Sequence, residues 1–295
     1  MTDKDGQNFS LLRLLPPVLR ARDFRLYAGG RGGKRFIDLW QEGGAAVLGH
    51  TPPGVFREFK NAASRGLLSP FPHSLEKRLF KALSRLFPRR SFRVYAPGTP
   101  LSVLWEAADL PLPALAADPA VPQYSGAGGD DAGPAVLSLW RPFLDTALPL
   151  AVPDVGSPIL IPVLPGSGRD RSFGPLILAV DPALGADHPF PPSDIVPPAI
   201  LAALTRGVYD LISAAPERGK CPFPKIRAAL AGGPWERRGI YLSLRKIPEP
   251  AAWAEIFRQF LEGGFLIPPN PEEPLILPGV LSPGEEVKLA GLLAG

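Results

Sequence analysis

Three continuous apolar runs in the middle of the chain, AVLSLW (135–140), PILIPVL (158–164) and PLILAV (175–180), constrain the fold more than any other feature. Each has the length of a strand, and none alternates with polar residues. Strands without alternation are covered on both faces, the habit of mostly parallel sheets flanked by helices. Prolines and glycines separate the runs, with 39 prolines and 31 glycines in 295 residues. We read this punctuation as loop and linker material in a fold that has lost parts. A hydrophobic share of 45% belongs to a globular chain, not a disordered one. The expected class is α/β: a mostly parallel sheet with flanking helices, plus a smaller α+β C-terminal domain.

Periodicity fills in the rest. A short helix is expected around 11–20. FRLYAGGRGGKRFIDLW (24–40) sets two apolar-aromatic runs around a glycine cluster, which reads as a β-hairpin. Helical spacing covers 54–65, with Val55, Phe56, Phe59, Ala62 and Ala63. It recurs over 74–87, where Leu75, Leu79, Ala82, Leu83 and Leu86 share a face and Pro88 ends the helix. SFRVYA (91–96) reads as a strand, 101–110 as a helix, 111–133 as a linker and 199–213 as a helix. A strand over 239–244 and helices over 251–261 and 284–293 complete the chain. The divisions expected are an arm, hairpin and helices over 1–90, a reduced large α/β domain over 91–219, and an α+β small domain over 220–295.

Composition excludes several classes. The net charge of +4, from 32 basic and 28 acidic residues, is too mild to imply nucleic acid, and the basic residues read as mixed with acidic ones. A lone cysteine, Cys221, allows no internal disulfide. No apolar stretch reaches the roughly 18 residues of a membrane span. The N-terminus MTDKDGQNFS is polar and does not read as a secretory signal. A cytoplasmic protein with no membrane or nucleic-acid partner is therefore expected. The glycines before Lys34 fail the phosphate-loop pattern, which needs glycine at Ala28 and Ser or Thr at Arg35. GAGGDDAG (126–133) lacks a strand-to-helix setting for dinucleotide binding, and His50, His73 and His188 lack metal-ligand spacing.

The order of segments at both ends resembles class III aminotransferases of the pyridoxal-phosphate-dependent fold-type I group, the glutamate-1-semialdehyde aminomutase branch in particular. The hairpin ends in Phe36-Ile37-Asp38, and a small-residue loop ends in Leu48-Gly49-His50 with prolines close behind. HSLEKRLFKALSRLFP (73–88) matches the second helix of that region. RVYAPGTPLSVLWEAADL (93–110) falls where the family has its Ser-Gly-Thr-Glu-Ala phosphate cup. Gly98 and Thr99 are kept, while Pro97, Pro100 and Leu101 replace the serine, glutamate and alanine. WAEIFRQFLEGGFLIPP (253–269) and LSPGEEVKLAGLL (281–293) resemble the small domain.

The resemblance implies a lysine that forms a Schiff base with the cofactor, an acid that protonates its ring nitrogen, backbone N–H groups that hold its phosphate, and an aromatic ring stacked on it. The chain has no lysine between Lys81 and Lys220. One alignment puts Ile200 at the lysine position, and the other deletes the segment. Lys220 and Lys225 are the nearest amines after the gap. Asp181 ends the run where the acid is expected, though a strand-end aspartate needs no such role. Gly98, Thr99 and Asp181 are the vestigial cofactor-binding residues to check, and Trp140 the stacking ring, unless it is a core tryptophan. Pro100 suits a first helical turn but removes one N–H donor.

A non-catalytic aminotransferase homologue is therefore expected, with no cofactor of its own and fewer sheet strands than its family. It is expected to pair as a homodimer, or with an intact relative, through the retained hairpin, the Gly49-His50 loop and the helix after it. Two alternatives stay open. One is an active pyridoxal-phosphate-dependent aminotransferase or aminomutase with relocated chemistry. The other is a noncovalent small-molecule binder.

Overall fold

The computed structural model describes residues 11–29, 33–110, 118–121, 137–152, 157–167, 174–187, 189–220 and 222–295. The segment 126–133, most of the expected linker, His188 and Cys221 lie outside the described residues.

The chain opens with a 3-10 turn, Leu11–Leu14, and β1 (Val18–Arg22). The helix expected around 11–20 is not there. Pro16 and Pro17 interrupt it, and Val18–Arg22 instead pairs antiparallel with β2 (Arg25–Ala28). β2 pairs antiparallel with β3 (Arg35–Asp38), the hairpin read from the sequence. Next come α1 (Pro53–Ala63), α2 (Leu75–Leu86), β4 (Ser91–Tyr95) and α3 (Leu101–Ala107). The three apolar runs become β5 (Leu137–Trp140), β6 (Ile159–Pro162) and β7 (Leu176–Val180). α4 (Pro182–Asp187), the long α5 (Pro198–Arg218) and α6 (Pro224–Ala229) follow. The C-terminal part alternates β8 (Trp235–Arg238), β9 (Tyr241–Leu244), α7 (Pro250–Gly263), β10 (Phe265–Leu266), β11 (Leu275–Ile276) and α8 (Pro283–Ala294).

The central sheet, among the described residues, has four strands in the order β4-β7-β6-β5. Every residue of β6 and β7 is buried, so the sheet is covered on both faces as expected. Phe92, Val94, Leu160, Ile177 and Ala179 face the main core with α2 and α5. Leu137, Leu139, Ile161 and Leu178 face the other way, against Leu104 and Trp105 of α3 and Phe190. Three of the four strands, β4, β5 and β6, run the same way, as a mostly parallel sheet has it, and β7 is the exception. Only β5 and β6 pair in parallel, while β7 is antiparallel to both β6 and β4. A continuous apolar run reports burial on two faces, which any covered central strand has. It does not encode direction.

The two ends of the chain close on each other. β10 pairs in parallel with β3, matching Phe265 to Ile37 and Leu266 to Asp38. Lys34 Nζ donates to the carbonyls of Leu261 and Glu262 at the end of α7, a favourable place for a cation. Arg25 and Arg35 both reach Glu285 in the first turn of α8.

Between β3 and α1 the segment 39–50 folds back on itself, and Asp38 fixes both of its ends. Asp38 Oδ1 accepts the backbone N–H groups of Trp40 and Gln41 at 2.8 and 2.9 Å. Its Oδ2 lies 2.8 Å from His50 Nε2, and Glu42 lies 3.6 Å from Nδ1. Burial opposes a charged His50 ring, but the hydrogen bonds and charges of Asp38 and Glu42 outweigh it, and its pKa is pushed up from 6.5 to about 9. The folded ring holds its proton more tightly than the unfolded one. Its stabilisation is therefore complete below a pH of about 6.5 and lost as the pH rises through about 9. His50→Gln is expected to lower the urea midpoint most below that window and least above it. A loss that stays constant across the window contradicts this account.

Candidate functional site

In sheets with parallel strands, ligands bind in the crevice outside the carboxyl ends of the strands. Here β4, β5 and β6 all run the same way, because β7 is antiparallel to both of its neighbours and β5 is parallel to β6. Their carboxyl ends lead into Ala96–Pro100, Arg141 and Val163–Ser167, and these residues mark the candidate site.

Arg141 follows β5 directly and is buried, 1% exposed. Its Nε and Nη2 donate to the Asp118 carboxylate at 2.7–3.0 Å, and its Nη1 donates to the carbonyl of Gly43 at 2.7 Å. Its guanidinium sits 5.4 Å over the ring of Tyr241, whose hydroxyl donates to the carbonyl of Pro142. Burial works against the charge on Arg141, but Asp118 outweighs it, and the group is held protonated well above its ordinary range. Burial likewise pushes the Tyr241 phenol up to about 12, although Arg141 and Arg218 pull it down.

The segment 39–50 fills the remaining space. Gly44 has φ +113°, and a Cβ there would stand 2.7 Å from Val163 Cγ1 and 3.3 Å from Arg141 Nη1. Its backbone therefore rests directly on the ends of β5 and β6. The N–H of Gly166 donates to Ala45 O, Arg218 Nε to Val47 O, and Gln41 Nε2 to Ile276 O. On the far side Gly207 of α5 presses against Pro165, where a Cβ would meet Pro165 O at 2.9 Å. The turn after β6 is thus packed between α5 and the segment 39–50.

The residues singled out from the sequence do not come together. Gly98 and Thr99 follow β4 at the carboxyl edge. Gly98 takes a positive φ of +81°, and the Thr99 hydroxyl donates back to Ala96 O within the same turn. Asp181 follows Val180, which pairs with Ser91 and Ile159 at the starts of β4 and β6. It lies at the opposite edge of the sheet, about 16 Å away along a five-residue strand. There its carboxylate accepts the N–H of Ala183 in α4. Ile200 of α5 is half-buried against the core, and Trp140 packs edge-on against Phe87 at 4.8 Å. Lys220 is exposed and paired with Glu217, and Lys225 is exposed on α6. Among the described residues no group of His, Cys, Asp and Glu is placed to hold a metal.

The sequence reading missed Arg141 and Asp118. Arg141 is the first charge after an apolar run, a usable signal for a residue at a strand's carboxyl end. Asp118 sits in a segment that read as linker and gave none.

No family model matches the chain. A protein of Treponema pallidum is 38% identical over 86 residues, covering 29% of this chain and 27% of that protein. One of Borreliella burgdorferi is 42% identical over 85 residues, covering 29% and 30%. Both are described only as uncharacterized proteins, and the match spans less than a third of either. Solved structures agree over far more of the chain. Acetylornithine aminotransferase of Elizabethkingia anophelis superposes with a TM-score of 0.62 at 12% identity, covering 94% of this chain and 92% of that one. An omega-transaminase of Sphaerobacter thermophilus gives 0.63 at 14%, covering 95% and 90%. The β-phenylalanine aminotransferase of Variovorax paradoxus gives 0.63 at 14%, covering 98% and 92%. The fold is that of the pyridoxal-phosphate-dependent aminotransferases. Within this aminotransferase-like fold, the carboxyl edge of the central sheet carries a buried Arg–Asp pair and a folded-back N-terminal segment.

Breaking that pair on one side leaves a buried charge without its partner, which costs about 3–5 kcal/mol. Asp118→Ala is expected to lose that much stability in urea unfolding. Arg141→Met combined with Asp118→Leu is expected to lose less than Asp118→Ala alone. A loss under about 1 kcal/mol for Asp118→Ala, the range of a surface pair, contradicts the assignment.

Proposed function

We propose that this chain is an aminotransferase-fold protein without pyridoxal-phosphate chemistry, and that it works as a binding partner of another protein chain. The observation that carries the reading is Gly44 seated on the ends of β5 and β6 beside Arg141, where a cofactor ring would need open space. The absence of lysine between Lys81 and Lys220 supports it. So does the placement of Asp181 at the other edge of the sheet from Gly98 and Thr99. The residues described at this edge do not fit pyridoxal phosphate. Pro100 has no N–H to offer its oxygens, and the buried guanidinium of Arg141 is already bound by Asp118.

The partner we propose is a second copy, or an intact relative, met through the arm and hairpin. β1 is an edge strand of its sheet. Leu14 just before it and Val18 and Leu19 within it are 44%, 41% and 78% exposed. An edge strand with exposed apolar residues is a ready surface for pairing. Light scattering is expected to show a dimer that Leu19→Lys converts to monomer. A monomer at all concentrations contradicts the self-pairing.

The cofactor reading is tested by incubating the protein with excess pyridoxal phosphate, reducing with borohydride and measuring intact mass. The expected result is substoichiometric labelling spread over exposed lysines such as Lys220 and Lys225. One stoichiometric adduct on a single lysine, abolished by changing that residue alone, contradicts the proposal.

A further inference from the structure

The other edge of the central sheet, at the start of β4 and the end of β7, holds a cavity of about 310 Å³. Ser91 and Arg93 stand two residues apart on β4, so their side chains share one face of the strand. Val180 of β7 is the register partner of Ser91. Val180 and Phe190 are buried members of the apolar cluster on this side of the sheet, and both line the cavity. Pro182 and Gly185 of α4 line it as well. Trp105 packs edge-on against Phe190 at 5.4 Å and holds its ring in place. The segment that carries Phe190 is tied to β4: the N–H of Val94 donates to Ser193 Oγ, and the N–H of Asp194 donates to Val94 O.

Two features of this cavity are not explained by packing. The first is Arg93. Its Nη1 donates to the carbonyl of Phe92 at 3.0 Å, but its Nε is buried and has no hydrogen-bond partner. A buried donor without an acceptor is costly, and an acceptor in the cavity removes that cost. The carboxylates on the flanking segments are engaged elsewhere, Asp194 with the N–H of Ala96 and Asp181 with the N–H of Ala183. The second feature is Gly185. A Cβ there would meet Val180 Cγ1 at 3.6 Å and Ser91 Oγ at 3.9 Å, both ordinary contacts, so the glycine leaves open a space that a side chain could fill.

The Nε–Nη2 edge of a guanidinium takes a carboxylate through two parallel N–H···O bonds. The apolar walls take a hydrocarbon body, and an apolar cavity of about half this volume holds a benzene ring. A sugar or a polyphosphate would set polar groups against Val180, Pro182 and Phe190 without partners. We propose that the cavity binds a small carboxylic acid, as its carboxylate, with an apolar body about the size of a phenyl ring. Arg93 takes the carboxylate, and Val180, Pro182 and Phe190 take the body. The site lies at the opposite edge of the sheet from Arg141, so its failure would leave the pairing and cofactor readings untouched.

The test is calorimetric titration of the full chain with phenylacetate, phenylacetamide and inorganic phosphate. Phenylacetate is expected to bind at one site per chain with a Kd of about a millimolar or tighter, a strength within reach of a ligand of about ten non-hydrogen atoms. Phenylacetamide keeps the shape and loses the charge, and should bind at least about tenfold more weakly. Arg93→Gln is expected to weaken phenylacetate by about tenfold or more and to leave phenylacetamide little changed. Gly185→Leu fills the cavity and is expected to abolish binding of both. Unchanged thermal unfolding shows that each variant is folded. No saturable binding of phenylacetate, equal binding of phenylacetamide, or full binding by the Gly185→Leu variant each overturns the proposal. Tighter binding of inorganic phosphate than of phenylacetate overturns it as well and leaves a simple anion site.

Discussion

Arg141 is the point at which three distant parts of the chain are joined. Its guanidinium lies at the end of a central strand, binds Asp118 through two nitrogens and reaches the carbonyl of Gly43 with the third. A fully buried guanidinium is tolerable only when its donors are satisfied, so the positions of Asp118 and of the 39–50 segment follow from it. Once Gly43 is held, Gly44 has nowhere to go but against Val163, and only glycine fits its φ of +113° at that distance. The Asp38–His50 pair then closes the segment at its base. At the ends of β5 and β6 the described residues of this segment pack as protein core.

The same packing unites the chain. The main apolar core runs from Leu26 to Leu293 and takes in residues of the hairpin, the central sheet and the C-terminal helices. Arg218 at the end of α5 donates to Val47 O and Leu277 O, so the 39–50 segment is braced from the C-terminal side as well. The helix boundaries are set largely by proline, which stands at the first position of α1, α4, α5, α6, α7 and α8. A fixed φ and no N–H to lose suit that position. Six of the 39 prolines are therefore helix starts, not the linker material they resembled in the sequence.

Much of the fold could be read from the sequence, because burial leaves a periodic trace. The hairpin, α1, α2 and the three central strands all follow from apolar spacing. The site was less legible. Strand direction leaves no mark on a two-face-buried run, so nothing in the sequence tells that Asp181 follows the one reversed strand and lies at the other edge from Gly98 and Thr99. The clamp between Asp118 and Arg141 joins residues whose sequence neighbourhoods have nothing in common. The short arm failed for a local reason: an apolar run with two prolines inside it pairs as a strand more readily than it coils.

The central claim, that segment 39–50 is an integral part of the core at the ends of β5 and β6, is tested most directly by native-state hydrogen exchange. The amides to follow are Gly166, bonded to Ala45 O, and Ala46, bonded to Gln41 O. Amides of an integral segment exchange only through global unfolding. They should show the same opening free energy and denaturant dependence as Ile177 and Leu178 in β7, with or without pyridoxal phosphate. Exchange of Gly166 and Ala46 through a low-energy local opening, while β7 stays protected, would mean that the segment lifts from the crevice, and would contradict the account.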